Sequence, residues 1–129
     1  MLQDIKDRND IIILVDTFYA KVKTNETLGY IFNDIMHVNW ETHLPKMYNF
    51  WEGILFQTGN YTGAPFPAHI AVNEKKKLGE DEFNQWIKVF VETVNELFAG
   101  PKANELKQKA QSIQVIWKTK FNHINKVAD

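Results

Sequence analysis

The sequence predicts an all-α fold, and three observations carry that expectation. Four segments repeat apolar residues at spacings of three and four, the period of a helix with one buried face. No segment alternates with period two over a useful length, and no internal repeat is present. Gly and Pro cluster in a single long connection near the middle of the chain. The 129 residues are expected to form one domain, 1–129, large enough to bury a core without disulfide or metal staples.

The first helix is expected from Asp10, as N-cap, to about Lys23, burying Leu14, Val15, Phe18, Tyr19 and Val22. Leu28 to Asn33 reads as a short helical turn after a break at Asn25. The second helix runs from an Asn39 cap to about Gln57, with Trp40, Leu44, Met47, Trp51, Ile54 and Leu55 on its apolar face. Pro45 lies near its start, where a proline costs less than in a helix interior. Gln57 to Pro67 is turn chemistry throughout, a short helix is expected over Ala68 to Asn73, and Lys75 to Lys77 form a solvated linker. The third helix begins near Glu80, where three acidic residues meet the positive end of the helix dipole. Its stripe is Phe83, Trp86, Ile87, Phe90, Val91, Val94, Leu97 and Phe98. Gly100-Pro101 ends that helix and starts a fourth, which carries Ala103, Leu106, Ala110, Ile113, Trp117, Phe121 and Ile124.

Composition narrows the function. A formal charge of −1, from 15 basic and 16 acidic side chains, gives no basic surface for nucleic acid, whose affinity is built from many phosphate contacts. The absence of cysteine excludes disulfides, thiolate metal sites, a thiol nucleophile and thioether-linked haem in this chain. The apolar run Ile11 to Val15 is too short for a signal core or a membrane span. The uncharged stretch Gly53 to Asn73 is filled with turn residues. A cytoplasmic protein without a membrane partner is expected. Nine Phe, four Trp and four Tyr form a large ring inventory for so small a core.

Few residues could carry chemistry. Of the four histidines (His37, His43, His69, His123), His43 borders the apolar face of the second helix. His69 sits between Pro65-Phe66-Pro67-Ala68 and Ile70-Ala71-Val72, with no charge beside it. On pattern alone such a histidine is more often a hydrogen-bonded core residue than a ligand. No His-x-x-x-His or Glu-x-x-His pair marks a zinc or di-iron site. Tyr19 and Trp86 lie on buried stripes, and each has a polar tip that needs a partner; core filling and function are equally served. Asp34 and Glu52, the carboxylates nearest apolar surroundings, form no acid–base pair, and neither a phosphate loop nor a nucleophile elbow is found.

The order of these residues says more than any one of them. Phe18-Tyr19-Ala20-Lys21-Val22 is followed by Leu28-Gly29-Tyr30-Ile31-Phe32-Asn33, then by His43 with Asn49-Phe50-Trp51 downstream. Gly59-Asn60-Tyr61-Thr62-Gly63-Ala64-Pro65 then leads to His69, and Phe83-Asn84-Gln85-Trp86 completes the set. This arrangement resembles a group III truncated haemoglobin from about Ile11 to Phe121, and the lack of the Gly-Gly pairs of other truncated groups agrees.

The resemblance implies a shortened globin, a two-over-two helical sandwich around non-covalent haem b. By position, His69 would be the proximal iron ligand, and Tyr19, His43 and Trp86 would face the distal side. Phe32, His43, Lys46, Phe50, Trp51, Phe66 and Ile70 would line the haem pocket, with Lys46 either meeting a propionate or simply exposed. His43 would either gate ligand access or bond the ligand, and Pro45 bears on where its ring points. The implied function is reversible, high-affinity binding of dioxygen or another diatomic gas, nitric oxide or carbon monoxide. A haem enzyme for nitric oxide dioxygenation or peroxide reduction is the alternative; it would need a separate reductase, since no flavin or nicotinamide motif is present. A cofactor-free helical interaction module is the third reading.

Overall fold

The computed structural model describes residues 1–35, 39–58, 73 and 77–128. The elements are α1 (Arg8–Thr24), a π-helical turn (Ile31–Ile35), α2 (Trp40–Phe56), α3 (Glu80–Leu97) and α4 (Pro101–Ala128). No strand occurs among the described residues.

Helix α1 starts earlier than the periodicity suggests, because two aspartates three apart share the work of capping. Asp7 is the N-cap and accepts from the Asp10 N–H at 3.3 Å. The Asp10 carboxylate in turn accepts from the Lys6 N–H at 2.8 Å. Asp10 is therefore a first-turn residue and not the cap. Asn25 ends the helix and folds the chain back, its side-chain oxygen accepting from the N–H groups of Thr27 and Leu28 at 2.9 and 3.0 Å. The return passes so close to α1 that a Cβ on Gly29 would lie 2.7 Å from the Lys23 carbonyl oxygen. Only glycine fits there.

The other boundaries follow the expected signals. Asn39 caps α2 by accepting from the Glu41 N–H at 3.1 Å, and Gln57 closes it in the left-handed region at φ 58°. The helix continues through Pro45, whose missing N–H leaves one bond out of its ladder. At the start of α3, the Glu82 carboxylate reaches back to the Gly79 N–H at 2.9 Å. The start of α4 is capped from the far end of the chain. Asp4 accepts from the N–H groups of Lys102 and Ala103 at 2.9 and 2.8 Å, and the adjoining Ala99 N–H donates to the Gln3 carbonyl at 3.0 Å. Gly100, at φ +145°, gives Asp4 room to enter. Burial pushes the Asp4 carboxyl up, but the N–H groups of Lys102, Ala103 and Ile5 and the Lys102 charge together hold it below its ordinary value.

Helix α1 packs against α2 and α3, α4 packs against α3, and α2 reaches α4. The result is two helices over two. At the centre Phe18, Phe90, Leu14, Leu106, Val15, Val22 and Val94 are 0–1% exposed, each contributing about 1.5–3 kcal/mol in burial. A second cluster of Ile31, Leu78, Phe83 and Phe121 lies at the other end of α3. The outer seam of α1 and α2 is polar and paired. Arg8 donates to Asn49 and Glu52, each at 2.9 Å, and the Tyr48 hydroxyl donates to Asp16. The apolar surroundings of Glu52 are thus balanced by a guanidinium, which gives that carboxylate a structural role. Among the described residues, no helix is long and apolar enough to cross a membrane.

Candidate functional site

The described residues singled out from the sequence fall on four elements, and the structure gathers Tyr19, Phe32, His43 and Trp86 into one group of rings. Helix α1 buries Tyr19 next to Phe18 because both lie on its inner face. The π-helical turn, tucked over the end of α1, delivers Phe32 to the Tyr19 ring at 5.9 Å between centroids. His43, in the second turn of α2, meets Tyr19 edge to face at 5.3 Å and 78°. Trp86, on α3, joins through Phe18, whose ring is perpendicular to it at 6.1 Å and meets Tyr19 edge-on at 5.0 Å and 67°. Edge-to-face contacts of this kind add about 0.5–1.5 kcal/mol each beyond area burial.

Behind this group lies a stack of rings. Trp51, 3% exposed, lies against Phe90 at 4.7 Å and Trp86 at 6.2 Å. Trp86 is nearly parallel to Phe90 at 5.6 Å. Phe50 packs edge-on against Trp51 at 5.1 Å and is half-buried. Lys46 is exposed. His69, Phe66 and Ile70 lie outside the described residues, and of the short helix expected over Ala68 to Asn73 only Asn73, helical and buried, is described.

Two polar groups in this apolar setting stand out. The Tyr19 hydroxyl makes no hydrogen bond to any described residue, and burial holds the phenol above its ordinary pKa. It therefore remains an O–H donor at any physiological pH. The Trp86 indole N–H, which can only donate, likewise finds no acceptor among the described residues.

The stripe of α3 adds a second indication. Phe83 at one end and Phe90 and Val94 at the other are buried, yet Trp86 and Ile87 between them are only half-buried. Leu44, Met47, Phe50 and Ile54 of α2 are half-buried as well, against the same core. Val91 and Leu97 further along α3 are half-buried too, so buried and half-buried positions alternate on the stripe. The half-buried Trp86 and Ile87, with the α2 residues, leave apolar surface that a flat body can cover. The residues present thus fit a macrocycle such as haem.

Sequence reasoning missed Trp40 and Lys23. Trp40 counted as one more apolar helical position, yet its ring packs against Tyr19, Phe32 and His43 together. Its place directly after the Asn39 cap and one turn before His43 was the available signal. The cation of Lys23 over that ring, 4.3 Å from its centroid, joins residues 17 positions apart and leaves no trace in periodicity.

No family model matches the chain. It is 32% identical over 110 residues to the group 3 truncated hemoglobin ctb of Campylobacter jejuni, covering 83% of this chain and 84% of that protein. The crystal structure of the group III truncated hemoglobin from Campylobacter jejuni superposes with a TM-score of 0.81 at 30% identity, covering 94% and 95% of the two chains. The similarity spans α1 to α4 and agrees with the two-over-two packing of these helices. The chain belongs to the group III truncated haemoglobins.

Proposed function

We propose that this globin-type haem protein holds haem b without a covalent link and reversibly binds dioxygen, or another diatomic gas, with high affinity. The observation that carries the reading is Tyr19, a buried residue whose hydroxyl is kept protonated and is bonded to no described residue, with its ring against that of His43. The half-buried apolar side chains of Trp86 and Ile87 on α3 and of Leu44, Met47, Phe50 and Ile54 on α2 support it as surface for a cofactor. In this reading His69 provides the imidazole for iron, Phe32, Phe50, Trp51, Phe66 and Ile70 form apolar walls, and Lys46 pairs with a propionate. The bound haem supplies the ferrous centre that a diatomic ligand needs.

The chain's own contribution is electrostatic. Tyr19 and Trp86 offer an O–H and an N–H in a dry setting, and each hydrogen bond to a partly charged acceptor is worth about 1.5–3 kcal/mol. That corresponds to roughly ten- to a hundredfold in affinity or more. Two preorganised donors favour slow release, which suits tight binding, sensing or chemistry on the ligand better than bulk transport. His43, half-buried at the margin, either turns aside to admit ligand or joins the donors.

Absorption spectroscopy tests the reading. The protein should show a Soret band as purified or after haem is added, and a chain that takes up no haem refutes it. His69→Ala should lose most haem affinity while His123→Ala keeps it; equal loss in both would mean that another residue holds iron. A cofactor-free module would have a thermal midpoint indifferent to haem, whereas haem at a thousand times its dissociation constant adds about 4 kcal/mol. Mixing the oxygenated protein with nitric oxide in a stopped-flow device separates binding from dioxygenation.

A further inference from the structure

Three rings meet at the start of α2. Trp40 lies 5.3 Å from Tyr19 and 5.6 Å from His43, while Tyr19 and His43 are themselves 5.3 Å apart. His43 is thus caught between two aromatic neighbours, with interplanar angles of 78° and 79°. Phe32 closes the group, nearly parallel to Trp40 at 6.1 Å. An indole in the first turn of a helix would ordinarily be free to change rotamer, since no preceding turn confines it. Here it is held from outside as well. The Lys23 ammonium sits 4.3 Å from the centroid of the Trp40 ring, within cation–π range. The backbone at Lys23 is fixed in turn by the Asn33 side-chain amide, which donates to its carbonyl at 3.2 Å. Lys21, the neighbouring cation on α1, pairs instead with Glu96 at 2.7 Å.

We propose that Trp40, pinned by Lys23, is a positioning residue of the ligand pocket: its indole sets where the His43 imidazole rests, and so how readily a diatomic ligand enters and leaves. The inference rests on the haem reading above for its kinetic consequence, but the coupling from Lys23 through Trp40 to His43 is a property of the chain itself. Loosening the indole frees the imidazole to move aside. Ligand access then speeds up while the Tyr19 and Trp86 donors stay in place.

The test uses Lys23→Met, Lys23→Arg, Trp40→Phe and, as a control, Lys21→Met. Carbon monoxide rebinding after flash photolysis of the haem-loaded protein reads ligand access, and NMR of the His43 ring in the full chain reads its environment. Lys23→Met should speed rebinding roughly two- to fivefold, the equivalent of one exposed cation–π contact. Trp40→Phe should speed it by about tenfold as the ring contacts shrink. Both should shift the His43 resonances. Lys23→Arg should restore the wild-type values and Lys21→Met should leave them unchanged. The proposal is overturned if Lys23→Met leaves the His43 resonances where they were, or if Lys21→Met moves them as far. If the chain takes up no haem, the haem reading fails, and the resonances alone still decide whether Lys23 and Trp40 position His43.

Discussion

Tyr19 and Tyr48 stand on the two facing helices α1 and α2, and their hydroxyls are treated in opposite ways. Tyr48 lies on the outer seam, where its O–H donates to Asp16 and the Arg8 cation is 6.0 Å from its ring. Its pKa is pushed up to about 12, by burial first and then by the hydrogen bond to Asp16 and that carboxylate's charge. Tyr19 is raised by burial alone, without a described hydrogen-bond partner. One hydroxyl is used to join two helices. The other has no described partner, so it adds no hydrogen bond to the stability of the fold. The hydroxyl on the seam is taken up in joining the helices, and the one without a described partner is the one that the proposed function assigns to a ligand.

Substitutions at the two positions should therefore separate stability from binding. The largest effect is expected at Tyr19. Tyr19→Phe removes a donor, so ligand release should quicken about ten- to a hundredfold while the thermal midpoint stays level or rises. A clear loss of stability with unchanged release would show that the hydroxyl is structural. Asp4→Ala, which strips the cap from α4, should lower stability by about 1–2 kcal/mol in denaturant titration without altering release. Tyr48→Phe should cost about 0.5–1.5 kcal/mol, again with release unchanged. The smallest effect is in alkali. Because the Tyr48 pKa is higher folded than unfolded, its contribution is fully present below pH 10 and lost as pH rises toward about 12. Stability of the wild type should fall across that window, and the fall should be shallower in Tyr48→Phe.

Much of this architecture was legible in the sequence. The Asn39 cap and the stop at Gly100-Pro101 were visible because caps and breakers act within a few residues. Tyr19, Phe32, His43 and Trp86 were recognisable through their order along the chain, and three of them do gather around one another with Trp86 joined through Phe18. What periodicity could not supply was partnership across distance. Arg8 and Glu52 meet across 44 positions, so Glu52 looked like a carboxylate in search of a role. Trp40 looked like core because a helical pattern records that a side chain faces inward and not which rings it will meet there. The misplaced start of α1 has another cause: Asp7 and Asp10 are both good caps, and only the reciprocal bonds decide between them.

The Asp4 clasp also bears on the order of assembly. Its hydrogen bonds to Lys102 and Ala103 join residues 98 and 99 positions apart, the longest separations among the described residues. Contacts of such separation are the slowest to be reached by a searching chain. During synthesis residues 1–6 are made well before α4, yet they must wait for its first turn before they find their place. Helix α4 is therefore sealed by Asp4, and the corner they make together is expected to lock only after the helices between them have condensed.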